Sequence, residues 1–199
     1  MNIHLILRVM TQQVTDKKEA IYEAAIKLLN ERGFHSTPMS LIAKEANVAA
    51  GTIYLYFKNK EEMLNKLYLE IKEKYSNSLM RGYLETMPVR DAFELVWRNS
   101  LDFKLKRGAE FGVMEQFKNS PFIKKATTEE GLKIFSPVIK LVERAKREKI
   151  IKDYPDSIFH ALFFAPVGEL VKTHTIQRTE FTEEEKKLAF QGCWNAVKN

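Results

Sequence analysis

The stretch Thr37 to Leu64, TPMSLIAKEANVAAGTIYLYFKNKEEML, leaves this chain few folds to choose from. Thr37 is an N-cap type and Pro38 suits the first helical position, so a helix opens there and runs through Leu41, Ile42 and Ala46. Asn47 stops it, because Asn tolerates the left-handed backbone that a tight turn between helices requires. A second helix begins near Ala49 or Ala50 and carries Thr52 to Phe57. Ala43 is small where two helices cross closely, Asn47 makes the turn, and Ile53 points back into the angle between them. These residue types at these offsets are what a DNA-binding helix-turn-helix needs.

The outward face of the second helix carries the chemistry. Ile53 and Phe57 lie four apart and take the core side, which leaves Thr52, Leu55 and Tyr56 pointing away from it, with Tyr54 on the flank. Thr and Tyr hydroxyls bond phosphate oxygens, and a Leu or Thr methyl can touch the methyl of thymine in a major groove. The following Asn59-Lys60-Glu61-Glu62 reads as a capped helix start with Glu62 reaching back toward the cap. Lys60 sits badly with the helix dipole there, and a phosphate beside the helix N-terminus supplies a reason for it.

From Asp16 to roughly Leu67 the sequence resembles the TetR/AcrR family of bacterial transcriptional repressors: a first helix ending in ERGFHSTP, then LIAKEANVAAGTIYLYFKNKEEML. Beyond Leu67 the resemblance is architectural. It implies a homodimer that binds a palindromic operator in double-stranded DNA and lets go when a small molecule enters the larger domain. It also places the DNA contacts on Thr37, Thr52, Tyr54, Leu55, Tyr56 and Lys60, with backbone amides at Ala50 and Gly51. Two positions depart from the family pattern: Ala49 stands where many members have a capping Ser, and Ala50 where many have Lys or Arg. Loss of the cap costs about 1 kcal/mol of helix stability.

Only 8 Gly and 6 Pro among 199 residues, with long runs at helical spacing and no alternating ones, predict an all-α protein. The expected organisation is an N-terminal arm over 1–14, a three-helix helix-turn-helix DNA-binding domain over 15–60, and a helical ligand-binding and dimerisation domain over 61–199, joined by a long helix. The net charge of +6 permits nucleic-acid binding, but residues 1–75 hold 11 Lys and Arg against 9 Asp and Glu, so the excess is not concentrated in the motif. The single Cys193 leaves no internal disulfide and fits a reducing, cytoplasmic compartment. The opening MNIHLILRVMTQ is too short to span a bilayer and is interrupted by Arg8, so it reads as an arm, with no membrane partner.

The remaining helices follow from spacing and punctuation. The first is expected from Asp16, with Ile21, Ala25, Leu28 and Leu29 as its apolar stripe and Gly33 at its end. From Lys60 the spacing Leu64, Leu67, Ile71, Tyr75 and Leu79 predicts a rod of about 20 residues that couples the reader to the rest by rigid-body motion. Asp91 to Arg107 and Gly108 to Ser120 form two more helices. Thr127 with Glu130 reads as a capping box, and Pro137 kinks that helix or restarts it with Ser136 as cap. Tyr154-Pro155 opens a helix, SIFHALFFAPVGELVKTHTIQ, apolar on nearly every side, and the box Thr182 to Glu185 opens the last one.

Two apolar helices of this kind need a second cover, and a symmetry mate supplies it through Leu162, Ala165, Glu169, Leu188, Gly192 and Ala196. Glu169, a carboxylate in an apolar helix, calls for a partner across that dimer or in a cationic ligand. The candidate wall of a pocket for a hydrophobic or flat aromatic effector is Phe93, Trp97, Phe111, Met114, Phe117, Phe135, Ile139, Phe159 and Phe163, set against ordinary core packing of the same rings. Scattered His at 4, 35, 160 and 174, a single Cys and the absence of a glycine-rich phosphate loop argue against an enzyme, a metal or a cofactor. The alternative is a helical interaction scaffold that keeps the fold without sequence-specific DNA binding.

Overall fold

The computed structural model describes the backbone of residues 3–117, 120–177 and 179–199, and their side chains from residue 16 onward. These residues form eleven helices: α1 Ile3–Arg32, α2 Met39–Glu45, α3 Ala50–Tyr56, α4 Lys60–Leu79, α5 Val89–Lys106, α6 Gly108–Phe117, α7 Lys125–Ile134, α8 Ser136–Arg147, α9 Asp156–Phe163, α10 Ala165–Gln177 and α11 Glu183–Val197. Among the described residues β pairing is limited to an isolated bridge between Ile151 and Lys198, so the protein is all-α, as its composition predicts. Contacts divide the chain into two units, Met1–Glu70 with Ala109–Thr128, and Ile71–Gly108 with Glu129–Asn199.

In the first unit, Ile21, Ala25, Leu28 and Leu29 are buried as the stripe of α1 requires. Gly33, with φ +72°, closes that helix by donating its N–H to the Leu29 carbonyl at 2.9 Å. At the other end α1 opens at Ile3, well ahead of Asp16, so most of the expected arm continues the helix; its side chains lie outside the described residues. Asn47 takes φ 54° and forms a Schellman turn, its N–H donating to the Lys44 carbonyl (3.1 Å) while Val48 N–H reaches Ala43 (3.0 Å). Ala43, Ile53 and Phe57 are buried, and the Tyr22 ring packs on Phe57 with centroids 5.5 Å apart.

The structure differs from a simple cut after residue 60. Helix α6 and the loop after it belong to the first unit, where Phe111, Met114 and Phe117 are buried. Phe34 packs on Phe117 (5.3 Å) and Phe122 (5.7 Å), and Tyr68 meets Phe117 edge-on at 5.6 Å. Gly112 favours this docking, since a Cβ there would push the Asn30 side-chain oxygen out of its place. The Asn30 amide in turn donates to the carbonyls of Ile26 and Ala109, both at 2.9 Å.

The second unit is built on rings. Phe93 packs on Phe163 (5.3 Å), Trp194 (5.5 Å) and Phe159 (6.1 Å), and Trp97 packs on Phe190 (6.0 Å). Beside them the Tyr75 and Ser100 hydroxyls share a 2.7 Å hydrogen bond, and Asn99 donates to the carbonyls of Leu79 and Arg81 at the end of α4.

Three expected helix boundaries are corrected here. The long apolar helix is two, α9 and α10, interrupted at Phe164 because Pro166 has no N–H to continue the ladder and its ring crowds the preceding turn. Thr127 is buried two residues inside α7 and caps nothing, the helix having already started at Lys125. Pro137 does restart the chain as α8, but Phe135 is the N-cap residue and Ser136 lies inside the first turn. The box at Thr182 forms as expected, with Thr182 Oγ1 accepting from Glu185 N–H at 3.2 Å and Glu185 accepting from Thr182 N–H at 2.8 Å.

Candidate nucleic-acid interface

The turn at Asn47 fixes α3 against α2 by burying Ile53, and this decides what α3 shows to solvent. Leu55 is 83% exposed and Tyr54 55% exposed, with Thr52 and Tyr56 half-buried beside them and Gly51 and Ala50 open at the start of the helix. The N-cap residue Ala49 makes no side-chain capping bond, so the first amides of α3 are left for an external acceptor. An open concavity lined by Ser40, Ala43, Lys44, Asn47, Val48, Ala49 and Ala50 runs along the outside of the turn. Apolar, hydroxyl and amide groups together on one short, rigidly held helix suit the mixed surface of a major groove.

Two of the expected contact residues are placed differently. Thr37 is fully buried: its hydroxyl donates to the carbonyl of Gly33 at 2.8 Å and lies 3.3 Å from that of Leu28. It pins the end of α1 to the start of α2, whose N-cap residue is Pro38, so Thr37 is corrected from a DNA contact to a positioning residue. Lys60 stands at the N-terminus of α4 as expected, but its ammonium donates to the Phe34 carbonyl and lies 6.0 Å from the centre of the Phe122 ring. That carbonyl answers the unfavourable dipole from within the protein; burial also lowers the pKa of the ammonium, which retains further N–H donors for a phosphate. The helix start itself is capped by Asn59, whose Oδ1 accepts from Glu62 N–H at 2.8 Å, while the Glu62 carboxylate accepts from Lys58 N–H at 2.6 Å.

Asn65 escaped notice in the sequence. It donates to the carbonyls of Glu61 (2.7 Å) and Phe122 (2.8 Å) and accepts from Lys124 N–H (3.0 Å), which ties the α6–α7 loop to α4. No local pattern marks it, because both of its loop partners lie more than fifty positions away.

The nine residues expected to wall a pocket do not form one group. Phe111, Met114 and Phe117 are core of the first unit; Phe93, Trp97, Phe159 and Phe163 are packed together in the second; Phe135 is half-buried and Ile139 exposed on α8 and its cap. In the second cluster the Trp97 indole N–H is buried without an acceptor in good geometry, beside the weakly accepting Cys193 thiol. Of the expected dimer residues, Leu162, Ala165, Glu169, Leu188 and Gly192 are exposed and Ala196 is half-buried. Glu169 lies at the surface of this chain, where its carboxylate pairs with Lys172 at 2.7 Å one helical turn away. Among the described residues no cluster of three His, Cys, Asp or Glu side chains is placed to hold a metal, and no helix is long and apolar enough to cross a membrane.

Comparison with known proteins places this arrangement. Residues 21–67 match the family description "Bacterial regulatory proteins, tetR family", and residues 88–198 match "Tetracyclin repressor-like, C-terminal domain". The chain is 35% identical over 115 residues to an uncharacterized HTH-type transcriptional regulator of Haemophilus influenzae, a stretch covering 58% of this chain and 62% of that protein. It is 38% identical over 85 residues to a fatty acid metabolism regulator protein of Bacillus subtilis, covering 43% and 44%. The aligned stretches thus span about half the length of these curated relatives. The crystal structure of a TetR family transcription regulator from Marinobacter aquaeolei superposes with a TM-score of 0.90 over 95% of this chain and 99% of that one, at 23% identity, which shows the fold. With one family match over the helix-turn-helix and the other over more than half of the sequence, the chain belongs to the TetR family of bacterial regulatory proteins, a family of transcriptional regulators and not of enzymes.

Proposed function

We propose that this cytoplasmic protein binds a palindromic DNA operator as a homodimer, represses transcription from it, and is released by a small hydrophobic or aromatic effector. The observation that carries the reading is α3, which turns Tyr54 and Leu55 to solvent from a helix locked on its other face by Ile53. Thr52, Tyr54, Leu55 and Tyr56 are its groove-facing side chains; the amides of Ala50 and Gly51 and the Lys60 ammonium meet phosphates.

Dimerisation is supported by the apolar surface of α9, α10 and α11. Ile158, Leu162, Ile176 and Leu188 are exposed on these helices, and the small Ala165 and Gly192 would let a symmetry mate approach closely. Light scattering that reported a monomer at micromolar concentration would overturn this part of the reading. For the effector, the second unit offers the Phe93, Trp97, Phe159 and Phe163 cluster, where a polar atom of a mostly apolar molecule could accept from the Trp97 N–H. The name of the Bacillus subtilis relative makes fatty acyl compounds the first class to titrate against a preformed DNA complex.

The test of the whole reading is selection from random duplexes near physiological salt, with Tyr54→Ala as control. A two-fold symmetric site retained by the wild type and not by the variant is expected. The scaffold alternative draws on the uncapped Ala49 and predicts no sequence preference in the same experiment.

A further inference from the structure

Outside the helix-turn-helix, the first unit holds a second basic element beside Lys60. After α6 the chain returns to the N-terminal turn of α4, and the segment Ser120 to Lys125 is held there from several directions. Asn65, only 8% exposed, grips it at the Phe122 carbonyl and the Lys124 amide. Ser120 Oγ accepts from Phe122 N–H at 3.2 Å, and the Phe122 ring lies 6.0 Å from the Lys60 ammonium and meets the His35 ring edge-on at 5.4 Å. Lys124 places its ammonium 2.9 Å from the carboxylate of Glu61, the residue next to Lys60. Lys124 and Lys125 are both exposed.

We propose that this segment is a second contact with the DNA backbone, in which Lys124 and Lys125 bind phosphates flanking the site read by α3. The proposal rests on the reading of α3 and Lys60 as the DNA-facing side. Three features support it. A phosphate docked at Lys60 would be repelled by the adjacent Glu61 carboxylate, and Lys124 sits where it cancels that charge. An exposed ion pair such as Lys124 with Glu61 is worth little to folding, whereas its ammonium keeps donors for a second acceptor. The loop is preorganised by Asn65, so little freedom is lost when DNA arrives. The need is real as well: with 11 Lys and Arg against 9 Asp and Glu over residues 1–75, and no cation between Lys44 and Lys58, the motif alone is poor in positive charge.

The experiment is equilibrium binding of the full-length protein to a duplex carrying its selected site with long flanks, from about 50 to 200 mM salt. Three proteins are compared: wild type, Lys124→Ala with Lys125→Ala, and Lys133→Ala with Lys140→Ala, which removes the same charge from exposed positions of the second unit. The expected result is about tenfold weaker binding by the first variant at low salt, with a log–log salt slope shallower by about 0.9 per lost contact and the same preferred sequence. The control pair should keep the wild-type slope. Equal slopes for all three proteins would overturn the proposal while leaving the α3 reading intact. Full recovery on adding Glu61→Gln to the weakened variant would also overturn it, because Lys124 would then only screen that carboxylate. A wild type that binds no duplex at any salt would sink the α3 reading and this proposal together.

Discussion

The first unit fixes its geometry with polar side chains, and the second fills its interior with rings. Thr37 joins the end of α1 to α2, Asn30 joins α1 to α6, and Asn65 joins α4 to the loop after α6, each through bonds to backbone carbonyls. Such bonds hold direction as well as distance. In the second unit Asn99 clamps the end of α4 in the same way, but the interior around Phe93 is a set of edge-on and stacked rings, which fixes volume more than direction. A surface that must match a duplex gains from the first kind of contact. An interior of rings holds volume with little directional constraint, so it tolerates repacking at constant volume better than a set of oriented bonds does.

The largest effect that would sharpen this contrast is Phe93→Ala. Removing a ring that touches Phe159, Phe163 and Trp194 leaves a large cavity and should cost about 3–5 kcal/mol by denaturant unfolding. Phe93→Leu should recover most of it, and a loss as large as that of Phe93→Ala would mean the cluster is a rigid jigsaw after all. Next is Thr37→Val in the first unit, which keeps the volume and removes the hydroxyl bonded to Gly33. It leaves the part-buried Gly33 carbonyl short of its partner and should cost about 1–3 kcal/mol. DNA affinity should also fall, although the side chain is fully buried, because α2 loses its anchor on α1. Unchanged affinity at unchanged temperature would break the link drawn between polar bonds and reader geometry.

Tyr54→Ala and Leu55→Ser reverse the pattern. Both side chains are exposed, so unfolding should change by no more than about 0.5 kcal/mol. Binding to the selected duplex should weaken by about 1–3 kcal/mol, measured by titration at fixed salt. A stability loss larger than the binding loss would mean that these residues support the fold and not the interface.

What the sequence made legible divides along the same line. The helix-turn-helix could be read because its determinants are neighbours in the chain: Ala43, Asn47 with φ 54°, and Ile53 all act within a dozen residues. The box at Thr182 was legible for the same reason. Thr37 reads as a cap because a Thr before Pro stands at a helix start, and only the returning end of α1 shows that its hydroxyl is already engaged. The docking of α6 on the first unit left no trace, since Asn30 with Gly112 and Asn65 with Phe122 meet across long separations. The break between α9 and α10 leaves a weaker mark, since the single Pro166 interrupts an otherwise continuous apolar run, and Glu169 beyond it finds Lys172 on its own helix.

The smallest effect concerns the box at α11, where a charge and not a ring acts in the second unit. The Glu185 carboxylate accepts from the N–H and the hydroxyl of Thr182, each at 2.8 Å, and these bonds hold its pKa below the usual carboxylate range. A carboxyl with a lowered folded pKa adds stability that is fully present above the ordinary Glu value of about 4.3 and disappears as pH falls through the lowered one. Glu185→Gln keeps the size and an acceptor oxygen without the charge. The wild type should therefore unfold at a higher temperature than the variant near neutral pH, with the gap closing as pH drops below about 4. Exposure to solvent keeps the effect small. In the first unit Glu62, whose pKa is lowered by Lys66 and then by the Lys58 amide, is the matched probe, and Glu62→Gln should show the same direction. A gap at Glu185 that stayed constant with pH would mean that the shape of the box, and not its charge, holds the start of α11.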